Sequence, residues 1–116
     1  MTVKKIFIVL CHENGHAFCI KTTTNLDFYR NAPGILAGCV PYKKGELSIF
    51  KEDTVVQPDN QFPISHKALI QAHEDNALEI LGTMPTDFRD KLIKAINSSL
   101  RMDARLKARI LKILPK

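Results

Sequence analysis

Five consecutive residues near the start of the chain, His12-Glu13-Asn14-Gly15-His16, combine two imidazoles and a carboxylate at a spacing that could do chemistry. On an α-helix, residues four apart share one face, so His12 and His16 could bind one zinc ion. Glu13 would then be placed to act as general base on a zinc-bound water. This pentapeptide is therefore the first candidate for an active site.

The residues around the pentapeptide resemble the active-site helix of the zincin metalloproteases. Val9 lies three residues before the first histidine, Phe18 lies two residues after the second, and the two variable positions are uncharged, as that family favours. The resemblance implies that His12 and His16 are zinc ligands and that Glu13 is the base. The resemblance therefore predicts a zinc metallohydrolase, although it covers only a short segment of the chain.

A second interpretation makes the same residues a turn. Asn14-Gly15 between two runs rich in β-branched and apolar residues is a strong signal for a two-residue β-hairpin loop. Side chains alternate between the faces of a strand, so the hairpin would separate His12 from His16. We therefore expect a hairpin and assign no metal ligand and no catalytic residue. The predicted partners are Glu13 with His16, His12 with Ala17, Cys11 with Phe18, and Leu10 with Cys19.

Other reactive side chains give weaker signals. The three cysteines, Cys11, Cys19 and Cys39, include no C-x-x-C pair, which favours reduced thiols and a cytoplasmic protein. Cys11 near a histidine could be a nucleophile, but a small buried residue in a strand is the expected alternative. His66 and His73 fall on one face of a predicted helix, where we expect structural roles. No cofactor is predicted, and no apolar run is long enough for a membrane span.

Hydrophobic patterning predicts a single α+β domain over residues 1–116. Residues 1–53 form the mainly β half, with a hairpin at 5–23, a short helix after Thr24, and a second strand pair at about 35–51. Pro41 is expected on an edge strand because proline lacks a ladder donor. Residues 53–63 contain two prolines and are predicted to be a loop.

Residues 64–114 form the helical half, where the apolar period changes from two to 3.6. A first helix is expected from Ser65 to Gly82, a second from Asp87, and a third from Met102 to Leu114. Ser98 or Ser99 is expected to separate the last two. The predicted architecture is a small antiparallel N-terminal sheet packed against a bundle of about three helices.

The positive charge is concentrated at the end of the chain. Residues 1–82 contain eight Lys and Arg against nine Asp and Glu, whereas residues 83–116 contain nine against three. At 100° per residue, five cations of the last segment share an arc of about 80°. They are Arg101, Arg105, Arg109, Lys112 and Lys116.

This basic stripe is the strongest functional signal that remains once the hairpin is preferred. It predicts a small non-enzymatic regulator or adaptor that binds an acidic surface of a partner protein and modulates that partner's activity. Nucleic-acid binding through the same helix is one alternative, and the zinc metallohydrolase is another. Self-association could use the sheet edge near Pro41 or the last helix.

Overall fold

A four-stranded antiparallel sheet with five helices makes up residues 6–114, the part of the chain that the computed structural model describes, apart from the side chain of Ile113. The predicted α+β class is confirmed. The strands follow the spatial order β1-β2-β4-β3. Their bounds are β1 Phe7–Glu13, β2 His16–Thr23, β3 Val40–Tyr42 and β4 Thr54–Ser65.

The first two strands form the predicted hairpin. Asn14 and Gly15 both have left-handed backbones, with φ of 51° and 77°, as the two-residue turn requires. The partners predicted near the turn are confirmed, but Cys19 pairs with Val9 and not with Leu10. Leu10 therefore forms a β-bulge, and the pairing on the side of Leu10 away from the turn is shifted by one residue. Lys5, the predicted start of the hairpin, lies outside the described residues.

The longest strand, β4, occupies most of the segment predicted to be a loop, so that prediction was wrong. It runs between β2 and β3 and pairs with both. Its pairing with β2 passes from Gln57 directly to Gln61. The three residues between them, 58–60, bulge out of the ladder, where a proline needs no strand hydrogen bond. Pro58 is fully buried there.

The predicted second strand pair at 35–51 is also wrong, since β3 pairs with β4 and residues 46–51 form no strand. Phe50 is only 1 % exposed and its ring centroid lies 5.6 Å from that of Tyr42. The buried Phe50 side chain holds the loop at residues 46–51 in place, although this loop forms no strand hydrogen bonds. Pro41 does lie on an edge strand, as predicted.

Two single-turn helices precede β3: α1 Asp27–Arg30 and α2 Pro33–Leu36.

Three longer helices follow the sheet: α3 His66–Glu74, α4 Phe88–Ser98 and α5 Ala104–Ile113. The Ser65 hydroxyl accepts a hydrogen bond from the Ala68 backbone N–H at 3.1 Å, which confirms the predicted cap. Helix α3 ends eight residues before Gly82, the end predicted from the sequence. It stops there because Asn76 adopts a left-handed backbone with φ of 58°. No α3 residue is buried, so little packing holds a longer helix together.

The main core lies between one face of the sheet and helices α4 and α5. Ile8 and Ile20 from the sheet meet Leu92 and Ile96 of α4 and Ile110 of α5, and the last four of these are no more than 1 % exposed. None of the buried core residues comes from α3. The helical half therefore packs on the sheet, as expected, but the predicted three-helix bundle is not confirmed.

We predict that Ile96→Ala lowers the free energy of unfolding by about 2–5 kcal/mol, because it leaves a cavity in this core. The matched control is Ile80→Ala, since Ile80 is 82 % exposed. The control should change stability by no more than about 0.5 kcal/mol. Urea unfolding of the three proteins checks this, and equal losses in both variants would place the core elsewhere.

Candidate functional site

The hairpin separates the two histidines of the zincin-like pentapeptide. His12 pairs with Ala17, and His16 pairs with Glu13 at the next position along the ladder. Neighbouring positions of a strand face opposite sides of the sheet, so the two rings diverge. No group of three or more His, Cys, Asp or Glu that could hold a metal ion occurs among residues 6–114. The metalloprotease ligand set that the resemblance implied is not assembled.

His12 instead meets a histidine that sequence reasoning did not connect with it. Its Nδ1 lies 2.9 Å from Nε2 of His66, and the two ring centroids are 5.0 Å apart. One ring must donate an N–H and the other must accept with a lone pair, so at least one imidazole is neutral. The His66 backbone N–H also donates to the Gly15 carbonyl at 2.9 Å. The hairpin turn and the start of α3 are thus held together.

The cysteines do not have the properties of an activated nucleophile. Burial raises the pKa of the Cys11 thiol, and the Glu13 carboxylate raises it further. Burial, followed by the influence of Cys11, raises the pKa of Cys19 to about 11. Burial also raises the pKa of Cys39. Reactive cysteines need a lowered pKa, so these thiols fit the structural alternative.

Helix α5 carries the central part of the predicted basic stripe. Arg105, Arg109 and Lys112 are exposed, and none of them makes an ion pair with a residue that the structure describes. The opposite side of the helix is anchored by Ile110, which is fully buried. The Asp103 carboxylate caps the helix by accepting from the Leu106 backbone N–H at 2.8 Å. The exposed cations therefore project from a fixed element.

Arg101 differs from the rest of the stripe because it lies before α5 and has structural partners. Its Nε is 3.1 Å from the Asp59 carboxylate, whose side chain is only 9 % exposed. Its guanidinium carbon lies 5.7 Å from the ring centroid of Phe28. Arg101 therefore does not continue the row of cations on α5, because it contacts Asp59 in the β4 bulge. Lys116, the last member, lies outside the described residues.

The basic face of α5 borders a shallow open groove. Arg109 and Lys112 line it from the helix, and Cys11, His12 and Glu13 line it from β1. Because strand positions alternate, Cys11 and Glu13 share one face of β1, and the His12 ring lies on the other. Two cations and one carboxylate therefore border the groove. This arrangement can bind a surface that is mainly acidic.

Comparison with protein-family models, with curated proteins and with solved structures finds no match to this chain. Among the described residues, no helix combines the length and the apolar character needed to cross a membrane.

Thiol labelling gives one test of the site. We expect iodoacetamide at pH 8 to modify Cys11 before Cys19, because Cys19 is fully buried and its pKa is raised to about 11. In denaturant, all three cysteines should react at similar rates. Peptide mass spectrometry over time measures this, and faster labelling of Cys19 in the folded protein would contradict the assigned burial.

A second test separates Arg101 from the surface arginines. Arg101→Ala leaves the nearly buried Asp59 carboxylate without its ion-pair partner, so we expect a loss of about 1–3 kcal/mol in the free energy of unfolding. The matched control is Arg105→Ala on the exposed face of α5, which should cost no more than about 0.5 kcal/mol. Chemical denaturation of both variants decides, and equal stability would show that the Asp59 contact contributes nothing.

Proposed function

We propose that this chain is a small non-enzymatic interaction protein, a regulator or adaptor, that binds an acidic surface of a partner protein through helix α5 and modulates the partner's activity. The observation that carries the proposal is the set of three exposed cations, Arg105, Arg109 and Lys112, with no ion-pair partner among the described residues.

The spacing of these cations works against the stability of the isolated helix. Like charges at positions i and i+4, such as Arg105 and Arg109, cost about 0.2–0.5 kcal/mol per pair. Acidic residues elsewhere on the chain do relieve cations, as Asp59 does for Arg101 at 3.1 Å and Asp87 does for Lys91 at 3.5 Å. A partner that supplies carboxylates would remove the repulsion on α5, which supports a binding role.

The surroundings of the cations favour a protein surface as the ligand. Ala104 and Ala108 are exposed on α5 beside the basic face, and their small side chains allow close approach of a partner. The helix contains no Asn, Gln or aromatic residue that could read or stack on a base. Glu13 at the groove would also repel a phosphate backbone, while it could pair with a cation of a protein.

The test compares two double charge reversals with equal net charge. Arg105→Glu plus Arg109→Glu alters the proposed surface, and Lys67→Glu plus Lys94→Glu alters exposed cations on α3 and α4. Partners captured by cross-linking to wild type in cell extract are purified, and their Kd is measured with each variant. We expect the α5 reversal to weaken binding at least tenfold, which is about 1.4 kcal/mol, and the control to change it little.

Three results would contradict the proposal. Equal weakening by both double variants would indicate a nonspecific charge effect. A partner without an acidic surface, whose Kd does not rise with salt, would exclude the proposed chemistry. Tight nucleic-acid binding in a gel shift, lost in the α5 variant and falling steeply with salt, would assign the helix to the alternative function.

A further inference from the structure

We propose that His12 and His66 form a two-histidine site for a zinc ion where the end of β1 meets the start of α3. The two imidazoles come from different elements and lie 2.9 Å apart between Nδ1 and Nε2. This inference does not depend on the proposed function of α5. It uses one histidine of the pentapeptide with a ligand 54 residues away.

The distance between the two nitrogens needs only a small adjustment, although both rings must turn so that their lone pairs converge on the metal. Tetrahedral zinc holds histidine nitrogens at about 2.0–2.1 Å, which places two such nitrogens about 3.3 Å apart. The ring planes already meet at 53°, so the rings are neither stacked nor coplanar. His12 is exposed and His66 is half-buried, which leaves both rings room to turn. The hydrogen bond between Gly15 and the His66 backbone N–H keeps the two elements in place.

Zinc would take the position between the two inner nitrogens, Nδ1 of His12 and Nε2 of His66, where the proton of the hydrogen bond now lies. The ring that carries the proton on its inner nitrogen moves it to its outer nitrogen, so that both inner lone pairs can bind the metal. When both imidazoles are neutral, zinc binds without releasing a proton; when the donor ring is an imidazolium, its inner proton is released to water. Neither outer nitrogen forms a hydrogen bond with a residue that the structure describes, and both are free to carry the proton.

Imidazole is a ligand that suits zinc, copper and nickel, which sets the class of ion. Cys11, Glu13 and His16 alternate to the other side of the strands, and Cys19, which shares the face of His12, is fully buried. Water completes the coordination, and a site with two protein ligands binds more weakly than a structural zinc centre. Neither outer nitrogen donates a hydrogen bond to a carboxylate of residues 6–114, which weakens the binding of zinc further.

The chain supplies its own matched controls, since its four histidines comprise this pair and two others. Zinc chloride is titrated calorimetrically into wild type and into His12→Gln, His66→Gln, His16→Gln and His73→Gln. Glutamine preserves a polar side chain of moderate size and removes the imidazole. We expect one zinc ion per wild-type chain, at least a tenfold weaker Kd in each variant of the pair, and wild-type affinity in the other two.

Two further readouts accompany the titration. Zinc should shift the imidazole ¹⁵N resonances of His12 and His66 and leave those of His16 and His73 unchanged. Affinity should fall on acidification, because a proton competes with the metal for each ring. The absence of binding at millimolar zinc would overturn the proposal. Binding that survives His12→Gln or His66→Gln at full affinity would overturn it equally.

Discussion

The pairing of β2 with β4 is the constraint on which the other features of this fold depend. It runs from Thr23 beside Val55 to His16 beside Ser65, with a three-residue bulge in β4. One end of this ladder delivers His66 to the hairpin turn, and the bulge near its middle presents Asp59 to Arg101. Both contacts join residues more than forty positions apart, so neither exists without the long strand.

The bulge in β4 explains why the sequence was misleading at this point. Proline disfavours a strand because it cannot donate to a ladder, and Asp-Asn after a proline is a typical turn signal. Both preferences are met locally, because Pro58 and the Asp-Asn pair after it lie in the bulge and form no part of the ladder. The chain nevertheless pairs again at Gln61, and burial of Val55 and Val56 holds the first part of the strand. Tertiary packing therefore outweighs local preference here.

Predictions succeeded where the signal was local. The Asn14-Gly15 turn and the Ser65 cap depend on residues within a few positions of one another, and both are confirmed. The separation of His12 from His16 follows from the turn alone. The contact of His12 with His66 could not be predicted in this way, because it requires β4 to be a strand. The only signal in the sequence was the position of His66 directly after a capping serine.

The basic stripe shows a second limit of periodicity. Residues four apart share a helix face, but the rule does not say where a helix begins. Arg101 and Arg105 have the same spacing as Arg105 and Arg109, yet α5 begins at Ala104. Arg101 belongs to the preceding turn, where the Ser99 hydroxyl accepts hydrogen bonds from the backbone N–H groups of Arg101 and Met102 at 3.3 Å. The chain direction at this turn sends its guanidinium towards Asp59.

Strand β1 finally shows how one edge strand can separate two kinds of chemistry. Among residues 6–114 it pairs only with β2, and an edge strand needs charged or polar side chains to discourage pairing with another chain. Its last three residues, Cys11, His12 and Glu13, meet that need while alternating between faces. The Glu13 carboxylate borders the groove beside the α5 cations, and the His12 imidazole contacts His66. The pentapeptide that suggested one catalytic centre is better understood as the border between a charged groove and a pair of histidines.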